Sequence, residues 1–106
     1  MTDIVTVYAT FPDLAEAERI ARLLVEERLA ACANILGPCR SIYRWQGRIE
    51  EASETAVLFK ARAADRAILI ARLAELHPYE VPAAVAWPIA EALPAYARWV
   101  ADETGR

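Results

Sequence analysis

Residues 32–61 have the sequence CANILGPCRSIYRWQGRIEEASETAVLFKA, and no other part of the chain says more about its fold. The two halves, Cys32–Trp45 and Arg48–Ala61, carry the apolar and aromatic residues that are typical of strands. Gln46-Gly47 separates them, and glycine supplies the positive φ that a tight hairpin turn requires. Gly37-Pro38 interrupts the first half, where we expect a bulge or bend and no pairing through the proline. The sequence therefore predicts one long β-hairpin.

The segments on either side of the hairpin alternate between strand and helix patterns. Asp3–Phe11 is dominated by β-branched residues and is apolar on both faces, which predicts an interior strand. Asp13 can cap a helix whose apolar residues recur at helical spacing. Asp65–His77 predicts a second helix, and Pro82–Ile89 predicts a short last strand bounded by prolines. Pro94 suits the first turn of a final helix.

This order of elements is β-α-β-β-α-β plus a C-terminal helix. It predicts an α+β, ferredoxin-like βαββαβ fold, with two helices on one face of a four-stranded antiparallel sheet. The 106 residues fit one domain, 1–106, and leave no room for two. The fold alone indicates no chemistry, because it carries many unrelated functions.

Composition and charge exclude several classes of function. The net charge is −3 and basic residues lie among acidic ones, which argues against a nucleic-acid groove. No apolar run approaches the ~20 residues of a membrane span, and no charged-then-apolar leader opens the chain. We therefore expect a cytoplasmic protein that binds neither nucleic acid nor membrane. The apolar share of 57% suggests surface buried against other subunits, since an average domain has about 45–50%.

Nothing in the sequence points to catalysis. Serine occurs only at Ser41 and Ser53, neither in a nucleophile elbow, and three glycines form no phosphate-binding loop. We expect a binding protein that is not an enzyme and that requires no cofactor.

His77-Pro78-Tyr79-Glu80-Val81-Pro82 is the second informative stretch. It contains the only histidine of the chain, and two prolines stiffen it between a helix pattern and a strand pattern. His77 has two interpretations: a ligand for a metal or anion, or a residue that caps the preceding helix. Tyr79 and Glu80 beside it strengthen the first interpretation, and both stay open.

The cysteines Cys32 and Cys39 are the candidate soft ligands. In an extended strand their Cα atoms would lie roughly 23 Å apart at ~3.3 Å per residue, too far for a disulfide. They could bind copper, although a buried cysteine that acts as a small hydrophobe is favoured for Cys32. No Cys-x-x-Cys motif is present, and Met1 is the only methionine. A full metal site within one subunit is not expected, whereas a site between subunits stays open.

Charged residues of the hairpin offer further candidates. Lys60 is the only lysine among twelve basic residues, and it is either an anchor for an anionic ligand or a solvated strand end. Glu50, Glu51 and Glu54, assigned to the surroundings of the hairpin tip, could bind hard cations. They could equally keep an exposed strand edge from associating.

Three blocks of the chain resemble one family. They are AACANI at 30–35, SIYRWQGRIEE at 41–51 and HPYEVP at 77–82, within a colinear match from about Val5 to Trp99. The pattern is similar to the CutA family of divalent-cation tolerance proteins. The resemblance implies a ferredoxin-like homotrimer with a role in the response to divalent metal ions, copper among them.

The resemblance also implies where a ligand would lie. Trimers of this kind resemble PII signalling proteins, whose ligands occupy clefts between subunits. The residues expected to line such a cleft are Lys60, His77, Tyr79 and Glu80. For Cu(II) or another divalent cation, the candidate ligands are His77, which matches a histidine in metal sites proposed for CutA proteins, and Cys32. Ala9 stands where such proposals involve a cysteine, so this chain lacks that soft ligand.

The outer part of the hairpin is the candidate trimer interface. Tyr43, Trp45 and Ile49 are large apolar residues with no expected partner in the chain's own sheet, and such an edge invites strand addition from a neighbour. A closed ring would pair every edge, and the number three comes from the resemblance. Two alternatives remain: a PII-like sensor of a nucleotide or another anionic metabolite, and a structural assembly partner without a ligand.

Overall fold

A computed structural model describes residues 2–105 of the chain. The strands are β1 (Ile4–Phe11), β2 (Cys32–Trp45), β3 (Arg48–Arg62) and β4 (Ala84–Pro88). The helices are α1 (Leu14–Glu26), α2 (Arg66–Leu76) and α3 (Pro94–Glu103), and a 3₁₀ turn at Ala63–Asp65 precedes α2. This order is the predicted one, and the α+β, ferredoxin-like fold class is confirmed. Within the described range, no helix is long and apolar enough to cross a membrane.

The four strands form one antiparallel sheet in the order β2-β3-β1-β4. β1 is an interior strand, as its two apolar faces predict. Val5, Val7, Ala9 and Phe11 face the helices and are buried. The alternate residues of β1 lie on the opposite side of the sheet, which carries neither α1 nor α2. Ile4 packs there against α3, and this side is called here the α3 face.

The hairpin of β2 and β3 extends well beyond β1. Its turn is closed by Gln46 and Gly47, whose φ angles of 50° and 81° are the positive values that a two-residue type I′ turn requires. β1 pairs with β3 only as far as Phe11 opposite Thr55. Residues 39–54 therefore continue as a two-stranded projection, called here the arm.

The prediction that pairing stops at Pro38 is wrong. The register shifts by one residue between Ile35 and Gly37, which is the predicted bulge, and the ladder then continues with Pro38 opposite Thr55. β2 is an edge strand of the chain's sheet, so every second N–H along it points away from β3. A proline at such a position removes no bond of the ladder.

The core lies between the sheet and the helices α1 and α2. Asp13 caps α1, because its Oδ1 accepts a hydrogen bond of 2.9 Å from the N–H of Glu16. One stripe of α1 and the strand residues beneath it are fully buried. The large residues of this core include Val7, Phe11, Ile20, Leu24, Val57, Phe59, Leu69 and Leu73. α2 ends at Leu76, before the extended conformation that Pro78 imposes on His77.

α3 belongs to a second, smaller apolar cluster. Its buried members are Ile4, Ala31 and Val100. The end of α3 is held by Arg28, whose Nε donates to the carbonyl of Gly105 and whose Nη2 donates to that of Asp102, each at 2.9 Å. The N–H of Gly105 donates to the carbonyl of Arg28, and Thr104 is buried. These contacts fix the described C-terminal residues against the α1–β2 connection.

Candidate functional site

His77 lies buried at the end of α2, with 7% of its surface exposed. Its ring stacks on Phe11, with ring centres 4.9 Å apart and an interplanar angle of 20°. Nε2 lies 2.7 Å from the carbonyl oxygen of Thr10, and the N–H of Tyr79 lies 3.1 Å from Nδ1. A carbonyl oxygen only accepts and an N–H only donates, so Nε2 carries the proton and Nδ1 is unprotonated.

Both ring nitrogens of His77 are therefore used within the chain. The N–H of His77 also donates to the carbonyl of Leu73 at 3.0 Å, which makes His77 the residue that caps α2. A metal ion could reach Nδ1 only if the N–H of Tyr79 gave up its acceptor. The geometry thus assigns His77 a positioning role for the loop that follows it.

Tyr79 connects this loop to the base of the arm. Its hydroxyl donates to Glu54 Oε2 at 2.8 Å, and its ring lies 4.7 Å from that of His77. Burial, first, and then the hydrogen bond and charge of Glu54 raise the pKa of Tyr79 well above its ordinary value of 10.0. The hydroxyl consequently stays a hydrogen-bond donor toward a carboxylate that is itself only 8% exposed.

Glu54 sits at the base of the arm, not near its tip. It is directly opposite Cys39 in the ladder, one position beyond the last pair of β1 with β3. Strand alternation places both residues on the α3 face, which also carries Tyr8. Burial raises the pKa of Tyr8, and negative charge at Cys39 and Glu54 raises it further. Tyr8 stacks in turn on Trp87 of β4, with ring centres 6.0 Å apart.

Sequence reasoning did not single out Tyr8, and it assigned Glu54 to the wrong part of the hairpin. The signal was present for Glu54, because a two-residue turn fixes the register of the strands that it joins. Counting outward from Gln46-Gly47 pairs Cys39 with Glu54. No comparable sequence feature pointed to Tyr8, because its neighbours depend on which strands pair with β1.

Lys60 lies apart from His77 and Tyr79 within one chain. It is opposite Thr6 on one side and Cys32 on the other, on the α3 face, and its Nζ donates to Asn34 Oδ1 at 3.0 Å. His77 stacks on Phe11, which faces the helices, so the sheet separates the two side chains. Glu80 is exposed in the loop between α2 and β4.

Cys32 and His77 are also separated. Cys32 Sγ lies 3.5 Å from the hydroxyl of Tyr96 in α3, and burial together with Cys32 raises the pKa of Tyr96 to about 12. Cys32 and Cys39 are both free thiols. Across residues 2–105, no group of three or more His, Cys, Asp or Glu side chains is placed to hold a metal ion.

The predicted interface residues of the arm are exposed to solvent in the single chain. Tyr43 is 44% exposed, Trp45 is 40% exposed and Ile49 is 62% exposed. Ile42 beside them is exposed too. Strand alternation puts Tyr43 and Trp45 on one face of the arm and Ile42 and Ile49 on the other, and the chain itself leaves both faces open to solvent.

A protein-family model described as "CutA1 divalent ion tolerance protein" matches residues 5–103. The chain belongs to this family. It is 46% identical to the divalent-cation tolerance protein CutA of Thermus thermophilus over 99 residues, 93% of this chain and 96% of the relative. It is 41% identical to the protein of that name from Pyrococcus horikoshii over 101 residues, which cover 95% and 98% of the two chains.

Solved CutA structures have the same fold. The crystal structure of CutA from Xylella fastidiosa superposes with a TM-score of 0.95 at 43% identity, covering 98% of this chain and 100% of the other. A CutA structure from Archaeoglobus fulgidus, at 38% identity and a TM-score of 0.91, covers 94% of this chain and 97% of that one. That protein is described as periplasmic, so family membership does not determine the compartment.

Proposed function

We propose that this CutA-family protein is a homotrimer that contributes to the tolerance of divalent cations, copper among them. It binds a cation or small ligand in clefts between subunits and has no catalytic activity. The observation that carries this proposal is the arm: exposed apolar residues project from the sheet, and the buried Tyr79–Glu54 hydrogen bond ties the HPYEVP loop to their base.

The arm supports assembly because its exposed apolar side chains lower the free energy of the protein only when a second surface buries them. Burying apolar surface contributes about 25 cal/mol per Å². Tyr43, Trp45 and Ile49 lie beyond the reach of β1, so the covering surface has to come from another subunit. β2 and β4 are the two edges of the chain's sheet, and a closed ring leaves neither edge free for open-ended growth.

The separation of the predicted ligand residues supports a cleft between subunits. Lys60 and His77 lie on opposite sides of one sheet, as do Cys32 and His77. The hydroxyl of Tyr79 ends at Glu54, six residues from Lys60 along β3, which is roughly 20 Å in an extended strand. Lys60, Tyr79 and Glu80 can therefore surround one ligand only if different subunits supply them. The same holds for a Cu(II) site that uses His77 and Cys32, and that site also requires the Nδ1 of His77 to be released by Tyr79.

Sedimentation equilibrium at micromolar concentration tests the assembly. We expect about three times the chain mass of 11.8 kDa. A folded monomer would remove the basis for any cleft between subunits.

Calorimetric titration of the metal-free protein tests the ligand. Cu(II), Zn(II) and ATP are added in separate experiments. Heat with a metal ion supports the proposal. Heat with ATP alone favours a PII-like sensor. If none of the three gives heat, the remaining interpretation is a structural assembly partner without a ligand.

The His77→Ala variant tests the metal ligand. We expect weaker Cu(II) binding at neutral pH, because this is the only imidazole of the chain. Asp3→Ala is the control, since Asp3 is an exposed carboxylate ahead of β1, at the end of that strand far from Thr10 and His77. Equal Cu(II) affinity in the His77→Ala and unaltered proteins would exclude His77 as a ligand.

The compartment that we propose is the cytoplasm, where reducing conditions suit two free thiols. Cell fractionation with an antibody to the protein tests this. Recovery in a periplasmic fraction would contradict it.

A further inference from the structure

Arg28 adopts a backbone conformation that glycine usually supplies. It follows α1, and its φ angle is 63°. The N–H of Arg28 donates to the carbonyl of Val25 at 3.0 Å, and the N–H of Leu29 donates to that of Leu24 at 3.1 Å. These two bonds form a Schellman motif, whose left-handed residue is normally glycine because a β-carbon is strained there. An arginine at this position indicates that its side chain has a use that offsets the strain.

That side chain clamps the end of α3. Its Nε and Nη2 donate to the carbonyls of Gly105 and Asp102, and the N–H of Gly105 donates to the carbonyl of Arg28. Gly105 has a φ angle of 78°, and a β-carbon on it would overlap the guanidinium of Arg62, which is itself bonded to Asp65. The backbone and the side chain of Arg28 thus hold the last described residues from two directions.

Little else attaches α3 to the sheet. A helix of ten residues is too short to be stable alone, and no side chain among residues 2–105 caps its first turn. Its buried residue is Val100, which packs on Ile4 and Ala31 in a cluster separate from the main core. Apart from the clamp, the only described side-chain hydrogen bond from α3 to a strand joins the hydroxyl of Tyr96 to Cys32 Sγ, at 3.5 Å.

The segment that leads into α3 is suited to act as a hinge. Ile89 is fixed beside β1, because its N–H donates to the carbonyl of Ile4 and its own carbonyl accepts from Thr2. Residues 90–93 belong to no helix or strand, and none of the described hydrogen bonds joins residues 90–92 to another part of the chain. Rotation about this segment would lift α3 and leave β1 and β4 in place.

We propose that α3 and residues 104–105 form a latch, which opens locally about residues 90–93 while the main core stays folded, and that Arg28 holds this latch shut over the thiol of Cys32. Local opening of a weakly packed segment requires less free energy than global unfolding. The open latch exposes Cys32 together with Ile4 and Ala31. The inference goes beyond the proposed function, because the latch controls access to Cys32 whether or not a cation binds.

The test measures how fast Cys32 reacts with a chromogenic disulfide reagent in the intact chain carrying Cys39→Ser, where Cys32 is the only thiol. Arg28→Ala and Arg28→Gly both remove the clamp. Because two hydrogen bonds from a charged donor are lost, we expect Cys32 to react about tenfold faster, or more, in both variants. Backbone amides of α3 should exchange with deuterium faster by a similar factor, while those of β1 keep their rates.

Two comparisons separate the clamp from general destabilisation. Arg66→Ala is the matched control and leaves the Cys32 rate unchanged, since Arg66 is also an exposed arginine that donates to a carbonyl, but at the start of α2. Arg28→Gly should unfold at a higher temperature than Arg28→Ala, because glycine suits the left-handed position. All rates are compared at a concentration where sedimentation shows the same state of assembly.

Gly105→Ala is a second test, which leaves Arg28 in place. The added β-carbon is strained at a positive φ and overlaps Arg62, so we expect the end of α3 to be released and Cys32 to react faster. An unchanged Cys32 rate in the Arg28 variants, or in Gly105→Ala, would overturn the latch. Equal acceleration of exchange in α3 and β1 would overturn it as well, since α3 would then open only with the whole fold.

Discussion

The hydroxyl of Tyr79 fixes the position of the HPYEVP loop relative to the hairpin. Within residues 2–105 it is the only donor to the carboxylate of Glu54, a residue that is only 8% exposed. The ring of Tyr79 also packs against His77, whose Nδ1 accepts from the N–H of Tyr79. One side chain thereby fixes both the loop and the first pair of the arm.

Replacing Tyr79 by Phe should destabilise the protein by about 1–3 kcal/mol, because a buried carboxylate loses its donor. Chemical denaturation of the unaltered and variant proteins at one protein concentration measures this loss. Tyr96→Phe is the control, since the hydroxyl of Tyr96 meets the thiol of Cys32, which is a weak hydrogen-bond partner and no carboxylate. Equal effects of the two substitutions would show that the hydrogen bond to Glu54 contributes nothing specific.

Tyr79 should also make stability fall at alkaline pH. In the unfolded chain its hydroxyl titrates at its ordinary value of 10.0, whereas burial and Glu54 raise its pKa in the folded protein. The stabilisation is complete below pH 10.0 and declines as pH rises toward the folded pKa. Unfolding free energies measured from pH 8 to pH 11 (chosen to span this window) should fall less steeply in Tyr79→Phe. Parallel curves for the two proteins would contradict the raised pKa.

The role of a single residue was predictable where it depends on residues close by in the sequence. The HPYEVP motif pointed to His77 and Tyr79, and helix capping was one of two interpretations of His77. The sequence could not show that Thr10 occupies Nε2, because that contact depends on how α2 packs beside β1. Strand alternation next to the buried Phe59 could have placed Lys60 on the α3 face, away from His77.

Among the elements, those with local start and stop signals were predicted best. The hairpin has the predicted strands joined at Gln46-Gly47, and β3 runs only one residue further, to Arg62. α1 begins directly after its predicted cap, Asp13. β4 is shorter than the predicted Pro82–Ile89, since Pro82 and Ala83 at one end and Ile89 at the other remain outside the strand. Pairing through Pro38 was missed because it depends on β2 being an edge strand, which is a property of the assembled sheet.

Removing the cap of α1 should have a measurable cost. Asp13→Ala leaves the N–H of Glu16 without its acceptor, and loss of such a cap costs about 0.5–2 kcal/mol. The unfolding free energy, measured by urea denaturation, reports the change. Asp3→Ala, at an exposed carboxylate ahead of β1, is the matched control. A cap that contributes nothing would leave the two variants equally stable.

At the scale of the whole molecule, the arm projects from a sheet that cannot cover it. The apolar excess in the composition pointed to association, and the exposed side chains of the arm fit that interpretation. The residues alone did not indicate the number of subunits, since closed rings of several sizes would bury the same surface. It rests on the family resemblance and remains a prediction.

A charge placed on the arm should therefore disrupt assembly. Ile49→Glu puts a carboxylate at the proposed interface, and losing a buried isoleucine costs about 1.5–3 kcal/mol, or at least tenfold in affinity. Sedimentation should show dissociation at concentrations where the unaltered protein stays assembled, together with a concentration-dependent melting temperature.

Ile68→Glu on α2 is the control for this experiment. Ile68 is 57% exposed and Ile49 is 62% exposed, so the two substitutions differ mainly in location. If both variants sediment like the unaltered protein, the arm is not the interface.

The central position of β1 has a consequence for how the chain folds. β2 and β3 are joined by a two-residue turn, and such a hairpin closes within about 1–10 μs. β1 has to pair with β3 on one side and with β4 on the other, where Val5 meets Pro88 from the far end of the chain. During synthesis β1 emerges first, yet it has no partner until β3 exists, and its other edge stays open until β4 follows. We therefore expect the strand that is made first to be the last to have both of its edges paired.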